Sequence, residues 1–291
     1  MLLHQKFILL IISFLLIQAN AFGKEPSIYE PKGFKGQFYF SWGYNRGYYT
    51  NSDIRFHGSD YDFTLSNVVS HDKPSPVGYD PYFKIDKITI PQTNLRIGYF
   101  FKNHWSISLG DDHMKYVMTQ NQEVEINGEI KNSDTEYNGT YNNQSIVLAD
   151  DFLKFEHTDG LNYINLELRR QDAIISLSKY HIANIDLNVI EGIGSGVMVP
   201  RTNTTLLSQE RYDEFHLSGF GISAMAGLNI TLWDHLFFQS EVKAGYINMP
   251  DIRTTASSSD KAAQHFYFTQ VNLLVGYSFR IFKPAESQTP K

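Results

Sequence analysis

Residues 104–120 read HWSISLGDDHMKYVMTQ. From Trp105 to Leu109, apolar residues alternate with serine, which predicts a β-strand with one apolar face and one polar face. The alternation is then interrupted by two carboxylates and an imidazole: Asp111, Asp112 and His113. The solvent that surrounds each face of this strand decides both the fold of the chain and the role of these polar residues.

A β-bulge at Gly110-Asp111 is our interpretation of the interruption. Beyond it the apolar residues resume in the opposite phase, and one extra residue in the strand restores the phase. Met114 and Tyr116 then point to the apolar face, and His113 points to the polar one. On this interpretation the two aspartates lie where the strand leaves an apolar environment for water.

The same alternation recurs along the chain, and the sequence predicts eight β-strands. In chain order they are GQFYFSWGYNRGYY, NLRIGYFF, the opening stretch, NYINLELRR, IDLNVIEGIGSGVMV, FGISAMAGLNITL, LFFQSEVKAGY and FYFTQVNLLVGYSFRIF. In the last of these, apolar residues occupy the odd positions from Val271 to Ile281, and mostly polar or small residues occupy the even ones.

Short and long connections alternate between the predicted strands. The short ones lie at 102–103, around 178–184 and at 233–235. The longer ones, which we predict to be polar loops, lie at 58–87, 121–158, 200–215 and 256–263. An up-and-down antiparallel barrel has this alternation, because all short turns lie at one rim and all long loops at the other.

The N-terminus predicts export. Lys6 precedes an apolar run from Phe7 to Ile17, and Ala19-Asn20-Ala21 matches a signal-peptidase site. We therefore predict that residues 1–21 are a signal peptide. The chain has no cysteine, so no disulfide stabilises it, and its net charge of −6 gives no basic surface for nucleic acid. No later apolar run approaches the roughly 20 residues of a transmembrane helix.

The polar face of the strands distinguishes a membrane barrel from a soluble one. A lipocalin-like barrel, which remains the alternative, has an apolar interior and a wet exterior, whereas a membrane barrel has the reverse. Here the polar face is dominated by Gly, Ser and Asn, and it carries charges of both signs: Arg96, Glu167, Arg169, Glu241, Lys243 and Arg280. Small residues and balanced charges are typical of a narrow lumen filled by paired side chains. We therefore predict that the apolar face points to lipid.

With these features the chain resembles the small eight-stranded bacterial outer-membrane β-barrels, the class of OmpA-like, OmpX-like and PagP-like proteins. The resemblance covers about residues 35–282 and includes the aromatic-rich last strand GYSFRIF. It implies an all-β fold, an eight-stranded antiparallel up-and-down transmembrane β-barrel with long extracellular loops and short periplasmic turns. The chain departs from the class in its tail, KPAESQTPK, because the class normally ends in an aromatic residue.

The resemblance also predicts a division of the chain and a location. The divisions are a signal peptide (1–21), an N-terminal segment (22–34), the barrel (35–282) and a C-terminal tail (283–291). The expected location is the outer membrane of a Gram-negative bacterium. The expected partners are outer-membrane lipid and lipopolysaccharide, with another outer-membrane protein as a further candidate, and no nucleic acid.

Polar side chains gather at the predicted extracellular rim, where His57 and His157 also fall. The candidate catalytic residues there are Asp111, Asp112, His113, His216, Glu214, Asp251 and His265. Imidazoles and carboxylates together suit a divalent cation or a hydrolytic site. A barrel mouth is polar in any case, however, and no tight spacing such as H-x-x-x-H occurs. We therefore predict no metal and no cofactor.

Two functions fit these features. The first is a non-enzymatic, surface-exposed structural, adhesive or accessory subunit with a plugged lumen, because eight strands leave an interior that side chains just fill. The alternative is a lipid A-modifying enzyme, by acyl transfer or deacylation, with its site at the extracellular rim. PagL-like deacylases carry an H-x-S pair, and His104-Trp105-Ser106 has that spacing. Strict alternation sends both side chains to the lumen, beside a periplasmic turn.

One ionisable residue stands on the predicted lipid-facing side. Glu191 shares its parity with Val189 and Ile193. Because an ionised group in lipid is costly, we expect a bulge near Ile190 to turn Glu191 away from the bilayer.

Overall fold

The computed structural model describes residues 33–76, 78–82, 84, 87, 91–177 and 184–281. The predicted signal peptide, nearly all of the predicted N-terminal segment and the predicted C-terminal tail lie outside these residues. The strands are β1 (Phe38–Tyr49), β2 (Ser52–His57), β3 (Tyr61–Val68), β4 (Ser70–His71), β5 (Thr93–Phe100), β6 (Trp105–Met118), β7 (Glu123–Ile130), β8 (Gly139–Val147), β9 (Leu153–Ser176), β10 (Ile185–Pro200), β11 (Asn203–Leu206), β12 (Gly219–Leu232), β13 (Leu236–Arg253) and β14 (Lys261–Phe279). One short helix, α1, spans Tyr79–Tyr82.

Eight of these strands form a closed ring. In chain order they are β1, β5, β6, β9, β10, β12, β13 and β14, and each pairs antiparallel with the next. The ring closes where β14 pairs with β1, from Phe38↔Phe279 to Tyr49↔Phe268. A closed ladder leaves no ring strand with an open edge. A sheet can cross a bilayer only when its edges are closed in this way. The predicted eight-stranded up-and-down barrel is confirmed.

The outer face of the ring carries an apolar belt. The belt residues are between 44% and 64% exposed and include Phe40, Leu95, Ile97, Ile107, Leu109, Leu166, Ile193, Ile222, Leu228, Phe238, Val242 and Leu273. Exposed aromatic rings border the belt, with Trp233 and Tyr277 towards the short turns and Tyr48 and Tyr267 towards the other end. So large an exposed apolar surface with aromatic borders is typical of a transmembrane barrel.

The strands exchange their polar and apolar faces beyond the belt. On β6 the even residues point inward along the whole strand, first as Ser106 and Ser108 and then as Met114 and Tyr116. The odd residues point outward, first as apolar side chains up to Leu109 and then as polar ones. β9 and β14 change in the same way. Between the belt and the cap end, each of these three strands passes from lipid outside and polar lumen inside to water outside and apolar core inside.

This exchange replaces the predicted bulge at Gly110-Asp111. The pairing there is regular, with Leu95↔Asp111 on one side and Asp111↔Ile164 on the other. The irregularity on β6 lies further along, between Met114 and Tyr116. The phase of the apolar residues changes because the surroundings change and not because the backbone gains a residue. Met114 and Tyr116 point inward and are fully buried, which is the reverse of the prediction.

The part of the ring beyond the belt supports a folded cap. β2 pairs with the first four residues of β14, Lys261 to Gln264, and β3, β7 and β8 extend the same ladder. β4 pairs with β6, and β11 pairs with β9. Three connections that we predicted to be polar loops, 58–87, 121–158 and 200–215, therefore contain strands. Their apolar residues, such as Phe63, Leu65 and Ile126, join the buried core that fills this end of the barrel. We call this end the cap end and the opposite end, with its short connections, the turn end.

Glu191 remains on the outer face. The register of β10 is regular around Ile190, and its irregularity lies between Leu187 and Asn188. Glu191 is the direct partner of Arg170 on β9, which gives the carboxylate an outward-facing cation as its neighbour. The predicted bulge is therefore wrong.

No helix within the described residues is long and apolar enough to cross a membrane.

Candidate functional site

Within the described residues, β5 stops short of its two neighbours at the cap end. β5 begins only at Thr93, whereas its neighbours continue to Tyr49 on β1 and to Met118 on β6. Side chains bridge the resulting window. Asn45 Nδ2 donates to the carbonyl oxygen of His113 (3.2 Å), and the Tyr49 hydroxyl donates to that of Lys115 (2.7 Å). These bonds link β1 and β6 directly beyond the first residue of β5, towards the end of β6 that pairs with β4.

The chain that leads from β4 to β5 supplies further bonds at the window. The Asp72 carboxylate accepts the backbone N–H of Gly47 (3.1 Å) and a hydrogen bond from Gln92 Nε2. Asp72 thereby satisfies a donor of β1 that faces the window. At the same level on the outer face, the Tyr82 ring packs edge-on against Tyr44 at 4.7 Å.

A groove of about 840 Å³ runs along the outer wall next to the window. Its central row is formed by Asp111, Leu95, Trp42 and Val275, which are direct cross-strand partners on β6, β5, β1 and β14. The row descends into the belt, because Asp111 lies where β6 changes polarity and Val275 lies well within the apolar part of β14. Among the described residues the rest of the lining consists of Phe40, Thr93, His113, Leu236, Gly276 and Tyr277.

The two polar groups at the upper end of the groove are Asp111 and His113. His113 Nδ1 hydrogen-bonds to Asn162 Oδ1 on the neighbouring strand β9 (2.7 Å), which fixes the imidazole ring on the outer wall. Asp111 is half-buried, and its Oδ1 atom has no hydrogen-bond partner among the described residues. The groove thus combines an apolar floor with a carboxylate, Asp111, whose Oδ1 atom is buried in the wall without a hydrogen-bond partner.

Asp112 lies on the opposite face of the same strand. It is 1% exposed and lies in the lumen, so the prediction that it marks a hydrated rim is wrong. Asp112 contacts Lys243 and Arg96, with 3.6 Å between its Oδ1 and Arg96 Nη2. Asn165 Nδ2 also donates to it (3.1 Å). Strict alternation along β6 places Asp112 inward, on the same face as Ser106 and Ser108. A bulge at Gly110-Asp111 breaks this alternation and therefore hides the inward position of Asp112 in the sequence.

Asp112 belongs to an ion network that fills the lumen inside the belt. Glu167 is its centre and contacts Arg96 (3.0 Å), Lys243 (2.7 Å) and Arg169 (2.6 Å). Arg169 also reaches Glu241 (3.3 Å). Five of the six lumen charges that we predicted from parity are in this network: Arg96, Glu167, Arg169, Glu241 and Lys243. The sixth, Arg280, follows the last strand at the turn end.

The other predicted rim residues lie apart from the groove. His216 Nε2 and Asp251 Oδ2 are 3.4 Å apart, and Lys261 lies 3.0 Å from the same carboxylate. His265 is exposed on β14, and Glu214 is exposed in the connection before β12. No group of three or more carboxylate or imidazole side chains suited to a metal ion occurs in the part of the chain that the structure describes.

Three further histidines occupy three different surroundings. His157 is fully buried in the cap core, with Nδ1 bonded to Thr202 Oγ1 (2.9 Å), and burial lowers its pKa to about 3. His57 is exposed beside Asp62. His104 lies outside the barrel at the turn end and pairs with Asp172 (3.1 Å), whereas Ser106 is buried in the lumen. The H-x-S pair is therefore divided between the two faces of the wall and forms no dyad.

Comparisons with known proteins find similarity only among solved structures. No protein-family model matches the chain. No curated protein matches it either. The attachment invasion locus protein Ail of Yersinia pestis, solved with the heparin analogue sucrose octasulfate, is 11% identical, with 84% of this chain and 99% of that chain covered and a TM-score of 0.31.

Two further solved structures show similarity of the same kind. The outer-membrane protein OprG of Pseudomonas aeruginosa is 11% identical, with 85% and 98% covered and a TM-score of 0.34. The outer-membrane protease OmpT of Escherichia coli is 9% identical, with 88% and 100% covered and a TM-score of 0.24. Similarity at this level carries no argument about function, and the strand ring of the chain itself establishes the fold.

Proposed function

We propose that the chain is a non-enzymatic outer-membrane β-barrel with a sealed lumen, which acts as a structural, adhesive or accessory protein through its cap and outer wall. The observation that carries the proposal is the continuous filling of the barrel interior. Ion pairs fill the interior at the level of the belt, and the apolar core fills it at the cap end.

The charges of the lumen support a seal that needs no mobile counterions. Three cations, Arg96, Arg169 and Lys243, face three anions, Asp112, Glu167 and Glu241. Each of these residues is at most 5% exposed. Buried charges are tolerated when they are paired and hydrogen-bonded, and removing one partner leaves the other uncompensated.

The proposed location is the outer membrane of a Gram-negative bacterium, with the cap end outside the cell. The apolar belt and the N-terminal sequence pattern support this location. The short connections at the turn end and the larger cap at the other end support the orientation, because outer-membrane barrels have short periplasmic turns. Outer-membrane lipid and lipopolysaccharide are then the expected surroundings, and another outer-membrane protein is a candidate partner for the cap.

Planar-bilayer recording tests the sealed lumen. The purified barrel should give little steady conductance, because paired charges and the cap core occupy its interior. A stable pore in the nanosiemens range from the intact barrel would contradict the proposal. Fractionation provides the companion test of location: the protein should appear with the outer membrane and migrate differently on gels before and after heating. Recovery as a soluble periplasmic protein would favour the lipocalin-like alternative.

A lipid A-modifying enzyme remains the second candidate, because Asp111 and His113 place a carboxylate and an imidazole together on the outer wall at the boundary of the belt. Mass spectrometry of lipid A from a wild-type strain and from a deletion strain separates the two functions. We expect identical lipid A. Loss of an acyl modification in both the deletion strain and a folded Asp111→Ala/His113→Ala strain would favour the enzyme.

A further inference from the structure

We propose that the outer-wall groove binds a bilayer lipid whose headgroup carries a primary ammonium, such as phosphatidylethanolamine, with the ammonium at Asp111 and one acyl chain along Leu95, Trp42 and Val275. This binding site rests on the proposed membrane location but not on the sealed lumen, because it concerns the lipid side of the wall.

The floor of the groove suits an acyl chain. Neighbouring strands lie about 4.8 Å apart, so the row from Asp111 to Val275 is about 14 Å long. Strands of such barrels tilt by about 35–45°, and a row perpendicular to them therefore descends by roughly 9 Å towards the middle of the bilayer. The groove is continuous with the belt, so the hydrocarbon of the membrane already surrounds it.

The upper end suits a small cation that donates hydrogen bonds. The Asp111 carboxylate lines the groove at the boundary between apolar and polar surface, and its buried Oδ1 atom has no partner, so the ionised group is costly unless a cation in the groove pairs with it. A primary ammonium offers three N–H donors and a single positive charge. A divalent cation would need more ligands than the groove provides, since no cluster of three or more metal-ligating side chains occurs among the described residues.

The neighbouring residues fit a zwitterionic headgroup. Thr93 and His113 line the groove beside Asp111 and add polar groups at the same level. Arg46 follows Tyr44 on the outer face of β1, towards the cap end, and its Nη2 donates to the Tyr82 hydroxyl (2.8 Å). The guanidinium thus lies on the side of the groove where the phosphate of such a lipid would be placed.

Quenching of Trp42 by brominated lipids tests the proposal. The chain has three tryptophans, so Trp105→Phe and Trp233→Phe leave Trp42 as the only one. The full barrel is reconstituted in phosphatidylglycerol vesicles that contain a small fraction of brominated phosphatidylethanolamine or brominated phosphatidylglycerol with the same acyl chains. We expect the relative association constant at Trp42 to favour phosphatidylethanolamine about fivefold, the scale of one ordinary hydrogen bond.

Two pairs of variants assign the effect to the groove. Asp111→Asn should bring the preference close to one, whereas Asp134→Asn, which alters an exposed carboxylate of the cap, should leave it unchanged. Leu95→Trp fills the groove, and Leu109→Trp adds the same bulk to a belt residue that does not line it. For both variants, native mass spectrometry measures how much phosphatidylethanolamine the barrel retains. We expect Leu95→Trp to lose retained phosphatidylethanolamine and Leu109→Trp to keep it.

Equal quenching by the two lipids in the parent protein would overturn the proposal. So would a preference that survives in folded Asp111→Asn, with folding checked by the change in gel mobility on heating. A conducting pore in the bilayer recording would contradict the sealed lumen and would leave this lipid preference unaffected.

Discussion

At the scale of single residues, Asp111 and Asp112 show how far the surroundings of two neighbours can differ. The strand places Asp111 on the outer wall in the groove, with an unpartnered oxygen. It places Asp112 in the lumen, in contact with Lys243 and Arg96. The sequence shows both as carboxylates in one polar cluster. Only the position of each side chain relative to the wall separates a candidate ligand-binding group from a structural one.

We therefore predict that alanine substitutions of these neighbours differ strongly in their effect on stability. Asp112→Ala leaves Glu167 as the carboxylate that Lys243 and Arg96 share and gives the buried network one uncompensated positive charge, which should lower the free energy of unfolding by about 3–5 kcal/mol. Asp111→Ala removes a carboxylate that no ion pair holds, and it should change the free energy by less than about 1 kcal/mol. Urea titration of the two variants in lipid vesicles, followed by tryptophan fluorescence, measures the difference. Equal losses would argue against the luminal network.

The buried His157 gives the cap a predicted sensitivity to acid. Burial lowers its pKa to about 3, whereas a histidine in an unfolded chain has a pKa near 6.5. As the pH falls below 6.5, the unfolded chain binds a proton that the folded cap excludes, so stability falls by about 1.4 kcal/mol per pH unit until about pH 3.

The comparison of two histidine variants isolates this effect. Between pH 7 and pH 5, the parent protein should lose about 2 kcal/mol more stability than His157→Gln. His57→Gln, which alters an exposed histidine of the cap, should lose as much stability between pH 7 and pH 5 as the parent protein. Urea unfolding at the two pH values measures each difference. The same pH dependence in His157→Gln and the parent would contradict the assignment to His157.

At the scale of the elements, the strands are predictable from the sequence and their surroundings are not. Alternation correctly predicts all eight ring strands and the inward parity of Arg96, Glu167 and Lys243. The same alternation is compatible with lipid outside or with water outside. A single environment along β6 would require a bulge to keep its apolar residues on one face. The structure keeps the backbone regular and changes the environment instead.

The cap strands were missed for a related reason. β3 alternates Tyr61, Phe63 and Leu65 with polar residues, and β7 places Val124 and Ile126 in the same way. Both signals were present, but the surrounding Asn, Gly and Asp favoured an interpretation as polar loops. The groove could not be predicted at all, because it arises from side chains of strands that are far apart in sequence, such as Trp42 and Val275.

The change of surroundings along one strand predicts opposite tolerances for arginine. Leu273 and His265 both point outward from β14, eight residues apart, with Leu273 in the belt and His265 beyond it. Leu273→Arg should impair assembly, since a charge near the middle of the bilayer costs about 2–4 kcal/mol. His265→Arg should assemble normally. The folded fraction of each variant in vesicles, read from gel mobility without heating, measures the contrast, and normal assembly of Leu273→Arg would argue against lipid at that face.

At the scale of the whole molecule, the structure separates two ends with different surfaces. The absence of cysteine from the chain allows each end to be labelled through a single introduced thiol. Ser257→Cys lies in the exposed connection between β13 and β14 at the cap end, and Asn103→Cys lies in the exposed turn between β5 and β6.

We predict that a membrane-impermeant maleimide labels Ser257→Cys in intact cells and leaves Asn103→Cys unlabelled, because the cap end is proposed to lie outside. Both thiols should react after the cells are lysed, which controls for their accessibility. Labelling of Asn103→Cys alone in intact cells would reverse the orientation.

The sealed interior also constrains the order in which the molecule can be made. The cap contains the connections from β1 to β5 and from β6 to β9, and on the proposed orientation these must reach the far side of the membrane. Once β14 has paired with β1 and the luminal side chains have found their partners, the finished barrel offers no passage for them. Their translocation must therefore precede closure of the ring, and the cap core can assemble only afterwards.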